Sequence, residues 1–181
     1  MKFNLKPKKT AVVVVIWATS LLLGIFYSAQ AKLSFFDPNS ELAMNMQDIA
    51  FDSRLSQLLQ ENGVQVQNAV VHFTAEHCFC QRIAKRHIRS VKHLAQSQHY
   101  QNIEVSISRF TQLESYIPSV PAIAVFNADA KLHYLGPYST GLFCAPQKGL
   151  VERFIQQKSQ AGNMVLGANI IHEASGCYCE V

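Results

Sequence analysis

Two cysteines one residue apart, Cys78 and Cys80, close the apolar run Val70-Val71-His72-Phe73, and an amphipathic helical pattern starts at once behind them. That order puts two thiols at the start of a helix, directly after a buried strand. Unpaired backbone N–H groups and the positive end of the helix dipole favour an anion there, and so favour thiolate over thiol. Thiolate is the form that attacks disulfides and binds soft metals. Three more cysteines lie further along, Cys144, Cys177 and Cys179, and the last two repeat the one-residue spacing. Five is an odd number, so at least one sulfur is free unless it pairs outside the chain.

These residue types support three readings. In the first, thiol–disulfide exchange, Cys78 attacks and Cys80 resolves the mixed disulfide. Cys144 is then a second resolving thiol, and Cys177 with Cys179 a pair that passes electrons to or from the first. The tail pair reads equally as a structural bridge to Cys144 or as a disulfide of its own. In the second, the thiolates hold Cu(I) at low coordination number. The chain has no Met- or His-rich tract for that role, and His133, a remote ligand at best, sits within a strand pattern. Zinc fits less well, because 96 residues separate Cys80 from Cys177, far from a compact finger. No metal and no cofactor is expected. In the third, the cysteines only staple a binding module.

Compartment bears on the choice. Lys2, Lys6, Lys8 and Lys9 precede an uncharged apolar run from Ala11 to Ala29. At about 20 residues the run is long enough to span a bilayer, and longer than the roughly 7–15-residue core of a signal peptide. Ala29-Gln30-Ala31 is nevertheless a small-x-small cleavage pattern. Residues 1–31 therefore read as an anchor or as a cleaved signal, and both export the remainder of the chain. In a bacterium that part faces the periplasm, where disulfides persist. The net charge of +4 is carried by those four lysines, leaving 12 of the 16 basic residues against 12 acidic ones from residue 32 onward. The exported part is formally neutral, which gives no electrostatic footprint for nucleic acid. Arg82, Lys85, Arg86, Arg89 and Lys92 fall on one helix side and read as a solvated face.

About 150 exported residues make one domain with its own core. Residues 32–47, with Asp37-Pro38-Asn39-Ser40, read as a linker. The expected elements are a helix over Glu41–Asn62, a strand over Gln67–Thr74 and a helix over Cys80–Ser97 with Ile83, Ala84, His87, Ile88 and Val91 on one face. Next come a strand over Asn102–Ser108, then strands Ala122–Phe126 and Lys131–Leu135 joined by Asn127-Ala128-Asp129-Ala130. A last helix starts near Pro146 and buries Leu150, Val151, Phe154 and Ile155. Residues 163–181 form a tail with no clear element. The order predicts an α/β domain, a mixed sheet flanked by helices. No glycine-rich phosphate loop and no Ser/His/Asp spacing is present.

Val71-His72-Phe73-Thr74-Ala75-Glu76-His77-Cys78-Phe79-Cys80-Gln81, at the end of a strand, resembles the active-site segment of thioredoxin-fold proteins. Val120-Pro121, before an apolar strand and a hairpin, is similar to that family's cis-proline segment. The resemblance covers roughly residues 48–160, and the thioredoxin-like domain is bounded at 48–162. It implies that Val120 and Pro121 form a substrate-facing edge beside the cysteines and that the loop holding Cys144 approaches that edge. It implies protein thiols and disulfides as substrates. The chain departs from the family in having one residue between the cysteines instead of two. His72 stands where the family often has a buried proton-transferring Asp, and it reads equally as a core histidine. His77 stands where the family has Trp; protonated, it favours a Cys78 thiolate, and otherwise it is an exposed loop residue.

Overall fold

The computed structural model describes residues 7–30, 33–144, 149–156 and 167–181. The chain divides into two compact units, Met1–Leu33 and Ser34–Val181. The first holds helix α1 (Pro7–Gln30). Its apolar stretch Lys9–Ser28 has 20 residues, and at about 1.5 Å per residue that length matches the hydrocarbon core of a bilayer. Its apolar side chains from Val12 to Tyr27 are exposed, as suits an anchor or a signal. The cleavage pattern ends at Ala31, outside the described residues.

The second unit begins with β1 (Ser34–Phe35), α2 (Glu41–Asn45), α3 (Phe51–Glu61), β2 (Ala69–Thr74), α4 (Phe79–Ser97) and β3 (Gln101–Ser106). It continues through β4 (Ser119–Val120), β5 (Ala122–Phe126), β6 (Leu132–Pro137), α5 (Glu152–Gln156), β7 (Asn169–Ile170), β8 (Ser175–Gly176) and β9 (Cys179–Glu180). Five strands form one mixed sheet in the order β3-β2-β5-β6-β7. β2 runs parallel to β3 and antiparallel to β5, β5 antiparallel to β6, and β6 parallel to β7. The expected α/β class with a mixed sheet and flanking helices is thus the observed one.

Period-two alternation along β2 sorts the interior into two layers. Val71 and Phe73 face one layer with α2, α3 and the cysteines, while Val70 faces the other with α4 and α5. Every residue of β5 is buried, as expected of a central strand covered on both faces. The hairpin after it is pinned by Asn127, whose Oδ1 accepts from the N–H groups of Asp129 and Lys131, both at 2.9 Å.

The helix expected over Glu41–Asn62 is two helices. Asp48 interrupts it: its Oδ1 accepts from Ala50 N–H at 2.9 Å, an Asx turn that restarts the chain as α3. The expected strand to Ser108 ends at Ser106 and tightens into a 3₁₀ turn at Ile107–Arg109, with Ile107 still buried. Residues 34–47 are no linker. Phe36 and Leu42 are fully buried, and Asp37 Oδ2 accepts from Ala43 N–H at 2.8 Å to hold α2. Pro146 lies outside the described residues, and α5 is described from Glu152 onward.

The tail is the largest departure. From residue 167 it belongs to the folded unit and touches three separate strands: β7 pairs with β6, β8 with β1 and β9 with β4. Tyr178 anchors it, packing edge-on against Phe36 at 5.4 Å and donating its hydroxyl to the Ser139 carbonyl at 2.8 Å. Gly176 makes that approach possible, because a Cβ there would sit 2.7 Å from the Tyr178 hydroxyl oxygen.

Candidate functional site

β2 ends at Thr74 and the chain turns through His77, whose φ of 65° is left-handed, to begin α4 at Phe79. Cys78 is the N-cap of α4 and Cys80 lies in its first turn. Both thiols therefore stand where the sequence puts them. Val120-Pro121 is a cis peptide, and the Cys78 sulfur lies 3.7 Å from the Val120 carbonyl oxygen. Cys78, Cys80, Val120 and Pro121 are brought together.

The connectivity, which the sequence leaves open, is crossed between the two Cys-x-Cys segments. Cys78 is bonded to Cys179 and Cys80 to Cys177, with Cα separations of 5.9 and 5.3 Å. The Cys78–Cys80 pair expected as the redox unit is not formed, nor is any bridge from the tail to Cys144. The reason is geometric. β9 runs antiparallel to β4, with Cys179 opposite Val120 and Glu180 opposite Ser119. With Cys179 held beside Val120, next to Cys78, the cysteine two residues before it, Cys177, meets Cys80, and the two segments are joined crosswise. Val181 N–H, donating to the Pro118 carbonyl at 3.2 Å, extends the same pairing.

The two bridges differ in surroundings. Cys80 and Cys177 are sealed, at 7% and 1% exposure, and Cys177 N–H donates to the Gly141 carbonyl. Cys78 is as buried as Cys80, at 7% exposure, but borders a groove of about 680 Å3 on the flank of α4, and its partner Cys179 is half-buried. Phe79, between the two helix cysteines, is exposed, with the Arg82 guanidinium 5.4 Å from its ring centre.

Cys144 is buried and unpaired. Burial pushes its thiol above the usual range, so it stays protonated and is a poor nucleophile. Disulfide sulfurs offer no thiolate to a soft metal, so copper binding by these cysteines requires prior reduction. No group of three or more His, Cys, Asp or Glu suited to a metal occurs among the described residues. His133 packs against Phe154 of α5, with the α4–α5 layer and not with the cysteines.

His72 is placed by the alternation of β2 on the opposite face of the sheet from Val71 and Phe73, which pack with the cysteines. Its Nδ1 lies 2.5 Å from the Tyr138 hydroxyl and its Nε2 2.8 Å from Asn102 Oδ1. An amide oxygen only accepts, so Nε2 carries the proton and Nδ1 accepts from Tyr138. Burial holds the imidazole neutral, with its pKa lowered to about 4. Both ring nitrogens are thus committed away from the sulfurs. His77 is exposed beside Cys78 and lines the groove.

A family model described as a domain of unknown function, DUF6436, matches residues 47–181, about three quarters of the chain. The chain belongs to that family. No curated protein and no solved structure matches it. The match takes in all five cysteines together with the tail.

Sequence reasoning missed what the tail does and what the basic helix face borders. The signal for the first was present: two Cys-x-Cys segments of identical spacing are matched for an antiparallel double bridge. The second needed the position of β3, whose Glu104 closes the groove.

Proposed function

We propose that the folded unit is an exported, membrane-tethered thiol–disulfide oxidoreductase whose reacting sulfur is Cys78. One observation carries the reading. The sulfur at the start of α4 is bonded to a cysteine on a strand that pairs with β4, immediately before cis-Pro121. A substrate segment held along Val120 would present its sulfur to Cys78 in the same way, and the thioredoxin-like resemblance implies that edge for substrate. The tail therefore stands in the place of a bound substrate strand.

The exchange balances without a further reagent. A substrate thiolate attacks the Cys78 sulfur, a new S–S bond forms, and the Cys78–Cys179 bond breaks with its electron pair leaving on Cys179. A second substrate thiolate then attacks the substrate sulfur of this mixed disulfide. The substrate departs oxidised, and Cys78 is left as thiolate, favoured by the N-terminus of α4. The export and membrane attachment in this reading rest on α1.

The test is thiol trapping of the full-length chain across graded glutathione buffers, with mass mapping of each cysteine. The expected result is a population in which Cys78 and Cys179 are trapped while Cys80 and Cys177 are still bridged, and loss of insulin-reduction activity in Cys78→Ser. A competing reading is a stapled binding module, favoured by the sealed Cys80–Cys177 bridge. Four cysteines opening only together, at the unfolding transition, with no exchange activity, would establish that reading instead.

A further inference from the structure

The groove beside Cys78 has an unusual wall. Arg82, Lys85, Arg89 and Lys92 all line it, from successive turns of α4, and His77 stands at the cysteine end. Their spacings of three, four and three residues make one stripe of like charge, whose adjacent members repel one another on the helix. Glu104 of β3 is the one acidic residue of the lining, and it is ion-paired with Lys92. Arg82, Lys85 and Arg89 have no carboxylate partner among the described residues. Three uncompensated cations therefore line a concavity that Ile88 and the disulfide-bonded Cys78 also line. This is more than the solvated face read from the sequence.

The position relative to the bond is equally specific. Cys78 borders the groove; Cys179, its partner, does not. Attack on a disulfide is in line, with the incoming sulfur opposite the leaving one. A thiolate that reaches Cys78 from the side away from Cys179 expels Cys179. The volume of about 680 Å3 suits a small molecule of several residues' bulk, not a folded protein.

We infer that the groove binds a small thiol carrying carboxylates, at the scale of an acidic di- or tripeptide thiol, and directs its sulfur to Cys78. This rests on the reading that Cys78–Cys179 exchanges, and it names the co-substrate class of that site. The carboxylates meet Arg82, Lys85 and Arg89, and the same cations stabilise the anionic nucleophile. The thiolate attacks the Cys78 sulfur; the Cys78–Cys179 bond breaks, and Cys179 leaves as thiolate and takes a proton from water. A second molecule of the thiol attacks the first at its sulfur. Two thiols become one small-molecule disulfide, and the bridge has gained two electrons and two protons.

The experiment measures the rate at which the Cys78–Cys179 bridge of the full-length chain is opened, by quenching and mass mapping. Three thiols are compared at equal thiolate concentration and low salt: mercaptosuccinate, 2-mercaptoethanol and cysteamine. The expected result is a preference for the dicarboxylate over the neutral thiol of roughly tenfold or more, in the range of electrostatic steering, with cysteamine slowest. The preference should collapse in Arg82→Glu/Arg89→Glu and in half-molar salt, and persist in Arg86→Glu, the same charge change outside the groove. Arg82→Gln/Arg89→Gln, if the reversal fails to fold, should lose most of it. A rate indifferent to thiol charge, or a preference that survives the groove substitutions, overturns the inference while leaving Cys78 exchange intact. A bridge that opens with none of the three thiols overturns the exchange reading itself.

Discussion

The strand β2 carries two polar clusters, and they are built on opposite principles. Past its end, four sulfurs are joined covalently, and one of them belongs to Cys78, which borders a cationic groove. In its middle, His72 is enclosed with Tyr138 and tied by hydrogen bonds to Tyr138 and Asn102. The first can change its bonds only by exchanging electrons, and the second only by gaining a proton. The sequence left open that the two cooperate, with His72 serving the cysteines. Alternation along β2 puts the imidazole on the other face, and its hydrogen bonds lead to Tyr138, just past β6, and to Asn102 of β3, which in turn donates to the Lys92 carbonyl of α4. One short strand thus carries a disulfide cluster past its end and a buried imidazole in its middle, on opposite faces of the sheet.

The largest effect should come from the sulfur cluster, and it should be non-additive. Either bridge alone closes a loop of about 100 residues, worth roughly 4–5 kcal/mol, whereas the second closes only a small ring worth about 2 kcal/mol. Removing one bridge, by Cys177→Ser, should cost about 2 kcal/mol in urea unfolding, and removing both, by Cys177→Ser/Cys179→Ser, about 6–7 kcal/mol. Equal increments for the two steps would mean that the bridges do not share one loop.

An effect of intermediate size should come from acid. The folded pKa of His72, about 4, lies below the ordinary imidazole value of 6.5. The unfolded chain therefore binds the extra proton between these values, and the stabilisation by the neutral ring, full above pH 6.5, is lost as pH falls through 4. The size is on the order of 3 kcal/mol. His72→Phe should flatten that part of the stability profile. It should not move the midpoint at which Cys78–Cys179 is reduced, and a shifted midpoint would break the separation of the two clusters.

The smallest effect should come from the tail's anchor. Burial pushes the Tyr178 hydroxyl up, so it remains a donor at neutral pH. Tyr178→Phe leaves the Ser139 carbonyl without it, at a cost of about 1–3 kcal/mol. Under reducing conditions, where no sulfur bond holds β9, the same substitution should speed hydrogen exchange at Cys179 and Val181. Identical exchange in the two proteins would show that the tail is held by its bridges alone.

How much of this was legible depends on whether the signal was local. β2, α4, the β5–β6 hairpin and the thiols at the helix start were readable, since each rests on periodicity or turn chemistry within a few residues. The break at Asp48 was not, because an Asx turn leaves the apolar pattern nearly helical on both sides. The linker reading of residues 34–47 failed for a similar reason: Asp37-Pro38-Asn39-Ser40 is turn chemistry, and nothing nearby shows that Phe36 is covered by Tyr178 from the far end of the fold. His72 could be placed on a face by counting, but its partners Tyr138 and Asn102 are long-range. The crossed bridges were hinted at by matched spacing, yet the strand pairing that selects them lies between residues about 60 apart.

The crossed connectivity also sets a timetable for the chain's birth. Cys80 and Cys177 are 97 residues apart, so at typical synthesis rates the ribosome makes the first pair about 5 to 20 s before the second. Early in that interval the one cysteine the newborn chain can offer Cys78 is Cys80. Any oxidant met then joins the wrong two, and reaching the mature pattern requires Cys179 of the arriving tail to displace Cys80 from that bond and a second two-electron oxidation to join Cys80 to Cys177.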